Sequence, residues 1–110
     1  MTRVTFSPRA TREVDKIYAY IARGNSAAAE GVVHRIYEVA EYLARFPDAG
    51  RKTVLRDISA YAVTPHPYLL FYKHLPKTNE IRIVRVQHGA RRDRPAFQEE
   101  AQEFRPAPTF

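Results

Sequence analysis

The hydrophobic period changes near residue 47, and that change constrains the fold more than any other feature of this chain. Before it, apolar residues recur every three or four positions; after it they run in short β-branched and aromatic segments. Ala10, Val14, Ile17 and Ile21 make one face at the helical period, with Arg12, Asp15 and Lys16 outside it. Ser7-Pro8 starts that helix, serine as N-cap and proline at the first helical position, where its missing N–H costs nothing. Gly24 ends it as the residue just past the C-cap. Ser26 is expected to cap a second helix, with Glu30 in its first turn. Ala29, Val32 or Val33, Ile36, Val39 or Ala40, and Leu43 form its apolar face, and Pro47 stops it. A connection of about three residues makes the pair an antiparallel hairpin.

After the turn-rich stretch Phe46-Pro47-Asp48-Ala49-Gly50-Arg51, three β-prone runs follow at 61–64, 68–73 and 80–87. The segments between them are short enough for hairpins, so a three-strand antiparallel meander is the economical arrangement. In Ile81-Arg82-Ile83-Val84-Arg85-Val86 apolar residues occupy both parities, as in an inner strand covered on both faces, and Arg82 and Arg85 point to opposite sides. Val4-Thr5-Phe6 is a further short strand ahead of the first helix. The expected class is α+β in the order β-α-α-β-β-β, a helical hairpin packed on a small, mainly antiparallel sheet. A short acidic helix, Ala96 to Glu103, is expected at the end. With 110 residues there is material for one core. The expected domain spans residues 1–104, with 105–110 as a mobile proline-rich tail.

No cysteine is present, which excludes a disulfide scaffold and thiolate metal sites and favours a cytoplasmic home. No apolar run approaches the roughly 18–20 residues of a membrane-spanning helix. The first residues, MTRVTFSPRATREV, lack the apolar core of a secretory signal. Positive charge is local: residues 51–94 hold ten Lys+Arg against three Asp+Glu, while 1–50 hold seven against six and 95–110 one against three. A basic surface confined to one half of a small protein attracts nucleic acid, phosphate-bearing substrates or an acidic protein partner. A lipid surface fits less well, because the cations lie on strand-like segments and on no basic amphipathic helix.

The common catalytic signatures are missing: there is no cysteine nucleophile, no phosphate-binding glycine loop, no His-Glu-x-x-His and no Gly-x-Ser-x-Gly. His34, His66, His74 and His88 show no metal-ligand spacing, so neither a metal nor another cofactor is expected. What remains is a set of cations and aromatics that includes Arg51, Lys52, Arg56, Tyr61, Tyr72, Lys73, Arg82, Arg85, His88, Arg91 and Arg92. Such a set suits metal-free cleavage of RNA by its own 2′-OH. That reaction needs a base, cations for the charge on phosphorus, and an acid for the leaving oxygen. His88 is the imidazole at the end of the strand that carries Arg85. The competing explanation is a plain solvated basic face, with His34 on an ordinary helix, His66 and His74 at exposed turn edges, and the tyrosines completing a core or a partner interface.

Several ordered motifs resemble the RelE/ParE superfamily of bacterial toxins over residues 4–94. They are Ser7-Pro8 with Ala10, Ile17-Tyr18, Tyr20-Ile21-Ala22, Ala27-Ala28-Ala29, Pro47-Asp48-Ala49-Gly50-Arg51, Leu55-Arg56, Tyr68-Leu69-Leu70-Phe71-Tyr72-Lys73, and the run from Ile81 through His88-Gly89-Ala90-Arg91-Arg92-Asp93. The resemblance implies the toxin of a type II toxin–antitoxin system, held inactive in a heteromeric complex by a smaller, usually acidic antitoxin. One branch, RelE-like, cuts messenger RNA on the ribosome; the other, ParE-like, inhibits DNA gyrase. The long hairpin with Tyr20-Ile21-Ala22, the helix-2 alanines and the His-Gly-x-Arg-Arg-Asp ending look ParE-like, and no tyrosine follows the final strand. On the gyrase reading the chain is not an enzyme, and Arg51, Arg56, Arg85, Arg91 and Arg92 form an exposed target-binding face. On the ribonuclease alternative His88 is the acid or base, and Lys52, Arg56 and Arg85 stabilise the phosphorane. A third possibility is an attenuated toxin that acts only within the antitoxin complex.

Overall fold

The computed structural model describes residues 2–89. Its elements are β1 (Arg3–Phe6), α1 (Pro8–Ala22), α2 (Ser26–Arg45), a 3-10 turn (Pro47–Ala49), β2 (Arg51–Lys52), β3 (Ser59–Val63), β4 (Tyr68–Leu75) and β5 (Glu80–His88). The expected α+β class and β-α-α-β-β-β order hold, with the two-residue β2 as an additional strand. The expected helix Ala96–Glu103, the tail, and Arg91 and Arg92 lie outside the described residues.

Helix α1 begins where the serine–proline pair places it: the Ser7 hydroxyl accepts the Ala10 N–H at 3.0 Å. The same residue fastens the helix to the sheet, its N–H donating to the Ile83 carbonyl at 2.9 Å and its hydroxyl to the Val84 carbonyl at 3.1 Å. Helix α2 is capped one residue earlier than expected, by Asn25, whose side-chain oxygen accepts the Ala28 N–H at 3.0 Å. Ser26 is therefore already helical, because asparagine with extended backbone reaches the orphan N–H first. Gly24 does stand just past the α1 C-cap Arg23, but without the left-handed backbone that usually selects glycine there.

The sheet has the order β1-β5-β4-β3-β2. β2 through β5 are antiparallel neighbours, and β1 lies parallel to β5 with Val4 opposite Ile81 and Phe6 opposite Ile83. Both helices cover one face. There Val14, Val32, Ile36, Val39 and Leu43 pack on Val63, Leu70, Tyr72, Ile81, Ile83 and Val86. Each fully buried Leu or Ile of this set contributes about 1.5–3 kcal/mol. A second, smaller apolar cluster of Ile58, Ala60, Leu69 and Phe71, joined by Leu55 and Val84, belongs to the other face.

The two-parity pattern of β5 has two causes. Val84 packs on the second cluster, which is the two-faced cover anticipated from the sequence. In addition the register slips: Tyr72 faces Ile83 while Phe71 faces Arg85, so Val84 is an extra residue and the core-facing parity passes from Ile81 and Ile83 to Val86.

Candidate functional site

Strand β1 stops at Phe6 opposite Ile83, so the second half of β5, from Val84 on, has no neighbouring strand on that side. Glu13 of α1 fills the gap. One of its carboxylate oxygens accepts the Val86 backbone N–H at 2.7 Å; the other accepts the Arg85 Nε and the Gln87 side-chain amide, both at 2.8 Å. Arg85 Nη2 lies 2.8 Å from the same carboxylate oxygen. The Arg85 side chain is only 4% exposed, and that of Glu13 17%. Arg85 is thus not on an exposed basic face as the sequence suggested. Its guanidinium is taken up by Glu13, because a cation on an inner strand must be paired to be buried.

Two concavities matter for the predicted residues, and the first is bordered by Glu13 of this pair. One, about 690 Å³, lies between α1 and the end of β5 and is lined by Glu13, Lys16, Ile17, Tyr20, Tyr68 and His88 among others. The exposed His88 packs edge-on against the Tyr68 ring, with centroids 5.3 Å apart at 80°. Burial pushes the Tyr68 phenol above its ordinary value, with a smaller push from Tyr20. Tyr20 itself is 70% exposed, with the Arg23 guanidinium 5.5 Å from its ring centroid.

The other concavity, about 460 Å³, opens over β3, where Ala60 and Ala62 supply no bulk. Arg51 stands on its rim, with His66, Pro67 and Gly89 also lining it, and the Gly89 N–H donates to the Pro67 carbonyl. Beneath its edge the buried Tyr72 hydroxyl donates to the Pro47 carbonyl at 2.7 Å and accepts the Gly50 N–H at 2.9 Å. This pins the 3-10 turn that delivers Arg51 to the sheet. Burial raises the Tyr72 phenol above its ordinary range, partly offset by the hydrogen bond from Gly50.

The predicted residues are therefore distributed. Arg51 belongs to the β3 concavity and His88 to the α1 groove, while Tyr68 lines both. Lys52 on β2 and Arg56 in the β2–β3 connection are exposed but line neither of these two. Neither of these two concavities brings Lys52, Arg56, Arg85 and His88 together. Nor is there, among the described residues, a group of three or more His, Asp or Glu able to hold a metal ion. Sequence reasoning missed Glu13, Gln87 and Tyr68. The available signal was an arginine on an inner strand with no acid on that strand near it.

Residues 4–93 match the profile of the ParE toxin of type II toxin–antitoxin systems, parDE. The chain belongs to the ParE toxin family. It is 30% identical over 87 residues to the candidate toxin Y4kP of Sinorhizobium fredii, spanning 79% of this chain and 88% of that one. Its fold matches a chain of the chromosomal ParDE system from P. aeruginosa with a TM-score of 0.68 at 21% identity, over 80% of this toxin and 96% of that chain. A chain of the intact E. coli RelBE toxin–antitoxin complex matches with a TM-score of 0.61 at 16% identity, over 80% and 96%. No helix among the described residues of this toxin is long and apolar enough to cross a membrane.

Proposed function

We propose that this ParE-family toxin arrests growth by acting on DNA gyrase and that a cognate antitoxin segment neutralises it. The observation that carries the choice of target is the Glu13–Arg85 pair. A phosphorane needs cations that can approach it, and the cation nearest His88 along β5 is committed to a carboxylate at 2.8 Å. Arg51, Arg56 and Lys52 are exposed cations suited to a large anionic or acidic surface. The groove between α1 and β5 offers Ile17, Tyr20 and Val86 with Lys16 and His88 at hand, which suits an acidic amphipathic segment that orders on binding. In this reading His88 is peripheral, and the chain needs no cofactor.

The test is supercoiling by purified gyrase titrated with the toxin freed from any partner. Inhibition near stoichiometric toxin, with cleaved DNA, supports the proposal, and His88→Ala should then leave potency within a few-fold. No inhibition by folded toxin, together with ribosome-dependent messenger cleavage that falls about 10²–10⁴-fold in His88→Ala, establishes the ribonuclease instead. Expression without any partner should halt growth; a strain unaffected by it points to an attenuated copy.

A further inference from the structure

The turn joining β4 to β5 lies at the opposite end of both strands from Tyr68 and His88, and the uses proposed above leave it unengaged. It holds a concavity of about 460 Å³ whose lining includes Lys73, His74, Lys77 and Arg82, with Asp57 and Glu80 as its acids. Lys73 and Arg82 stand directly opposite each other in the β4–β5 register. This register sets two cationic side chains next to each other at the hairpin end.

The arginine is also oriented. Its Nε donates to Glu80 at 3.1 Å, and Glu80 is 3% exposed and further held by Thr5, Thr78 and Arg3. The terminal nitrogens of Arg82 make no hydrogen bond among the described residues, and its side chain is 49% exposed. A guanidinium fixed at Nε presents its outer fork for two-pronged recognition of phosphate oxygens. Arg3, opposite Glu80 on β1 and 65% exposed, continues the cationic row across the sheet.

We propose that this hairpin end binds the phosphodiester backbone of a nucleic-acid strand, with Arg82, Lys73 and Lys77 as phosphate contacts. A strand is favoured over a single small anion because the cations are spread across a turn and three strands. Solvated cations so dispersed hold one phosphate weakly, whereas a chain of phosphates gains from each contact through counterion release. The inference goes beyond the gyrase reading and stands or falls separately, since growth arrest and supercoiling are measured without it.

Fluorescence anisotropy of the full chain with labelled single-stranded RNA and DNA, between about 50 and 200 mM salt, tests it. For the unaltered toxin, affinity should fall linearly with salt on logarithmic axes. In Lys73→Gln/Lys77→Gln the slope should be shallower by about 1.4, two contacts at roughly 0.7 each. Arg82→Lys, which keeps the charge and loses the fork, should weaken binding while its thermal melt stays near that of the unaltered toxin. Arg12→Gln/Arg45→Gln, two exposed helix cations removed, should change neither slope nor affinity appreciably. The proposal is overturned if neither strand binds, or if the helix pair lowers the slope as much as the lysine pair. It is equally overturned if inorganic phosphate displaces the strand beyond its contribution to ionic strength, which would make the site one for a small anion.

Discussion

Replacing Glu13 by alanine leaves the buried Arg85 guanidinium, the Val86 N–H and the Gln87 amide without their common acceptor. Removing one partner of a buried ion pair costs about 3–5 kcal/mol, because the other charge stays desolvated. Glu13 is 17% exposed, so water can reach part of the vacated space, and Gln87 is half-buried and can turn outward. The lower end, about 3 kcal/mol, is therefore expected. At about 4–8 °C per kcal/mol for a domain of this size, the melting temperature falls by roughly 12–24 °C. Thermal and urea melts followed by circular dichroism read this directly. Arg9→Ala is the internal control: Arg9 sits 3.9 Å from the same carboxylate but is 49% exposed, so its loss should cost under about 1 kcal/mol. Glu13→Met/Arg85→Met, which removes both charges and keeps apolar bulk, should recover a large part of the loss. A cost for Glu13→Ala no greater than that of Arg9→Ala would refute the reasoning and return Arg85 to the pool of available cations.

Tyr72→Phe removes the hydroxyl that bridges Pro47 and Gly50, and a loss of about 1–3 kcal/mol in a urea melt is expected, with β2 the element most loosened. Gly50→Ala should destabilise by a similar amount, roughly 1–3 kcal/mol, since its added Cβ would lie 2.9 Å from the Ala60 carbonyl and closer still to the Tyr72 ring. Glu80 is held below its ordinary 4.5, first by the Thr5 hydroxyl and then by Arg82 and Thr78, although burial opposes them. A depressed carboxylate stabilises the fold fully above its unfolded value and loses that contribution as pH falls through the folded one. Melts of the unaltered toxin should therefore be flat in this respect above about pH 5.5 and decline below about pH 4.5, and Glu80→Gln should flatten the decline. Tyr68 and Tyr72, both raised by burial, should ionise above the ordinary tyrosine value of 10.0 in an ultraviolet alkaline titration; their stabilisation is present below pH 10 and is lost as pH rises through their folded values.

Much of the architecture was legible because its signals are local. The Ser7-Pro8 start, the three-residue joint between the helices and the apolar stripes of α1 and α2 depend on neighbours within a turn or two of chain, and they appear where the residues place them. The Ser26 cap was misplaced by one position because Asn25 and Ser26 are both competent caps and backbone geometry chose between them. β2 escaped notice since two residues carry no period, and only pairing with Ser59 and Ala60 makes them a strand. The candidate site was less legible. Arg51 and His88 do border concavities, yet charge counting could not foresee that they border different ones.

The sequence by itself determined the two-helix hairpin, the later strands, the confinement of positive charge to residues 51–94 and the resemblance to the RelE/ParE toxins. Only the tertiary structure decided that β1 runs parallel along β5, that a bulge at Val84 switches the buried parity, and that Arg85 is structural rather than exposed. The reason is range. Caps and periods are settled between residues a few positions apart, whereas Glu13 and Arg85 are 72 positions apart, and the low dielectric that binds them exists only once the core has closed around both.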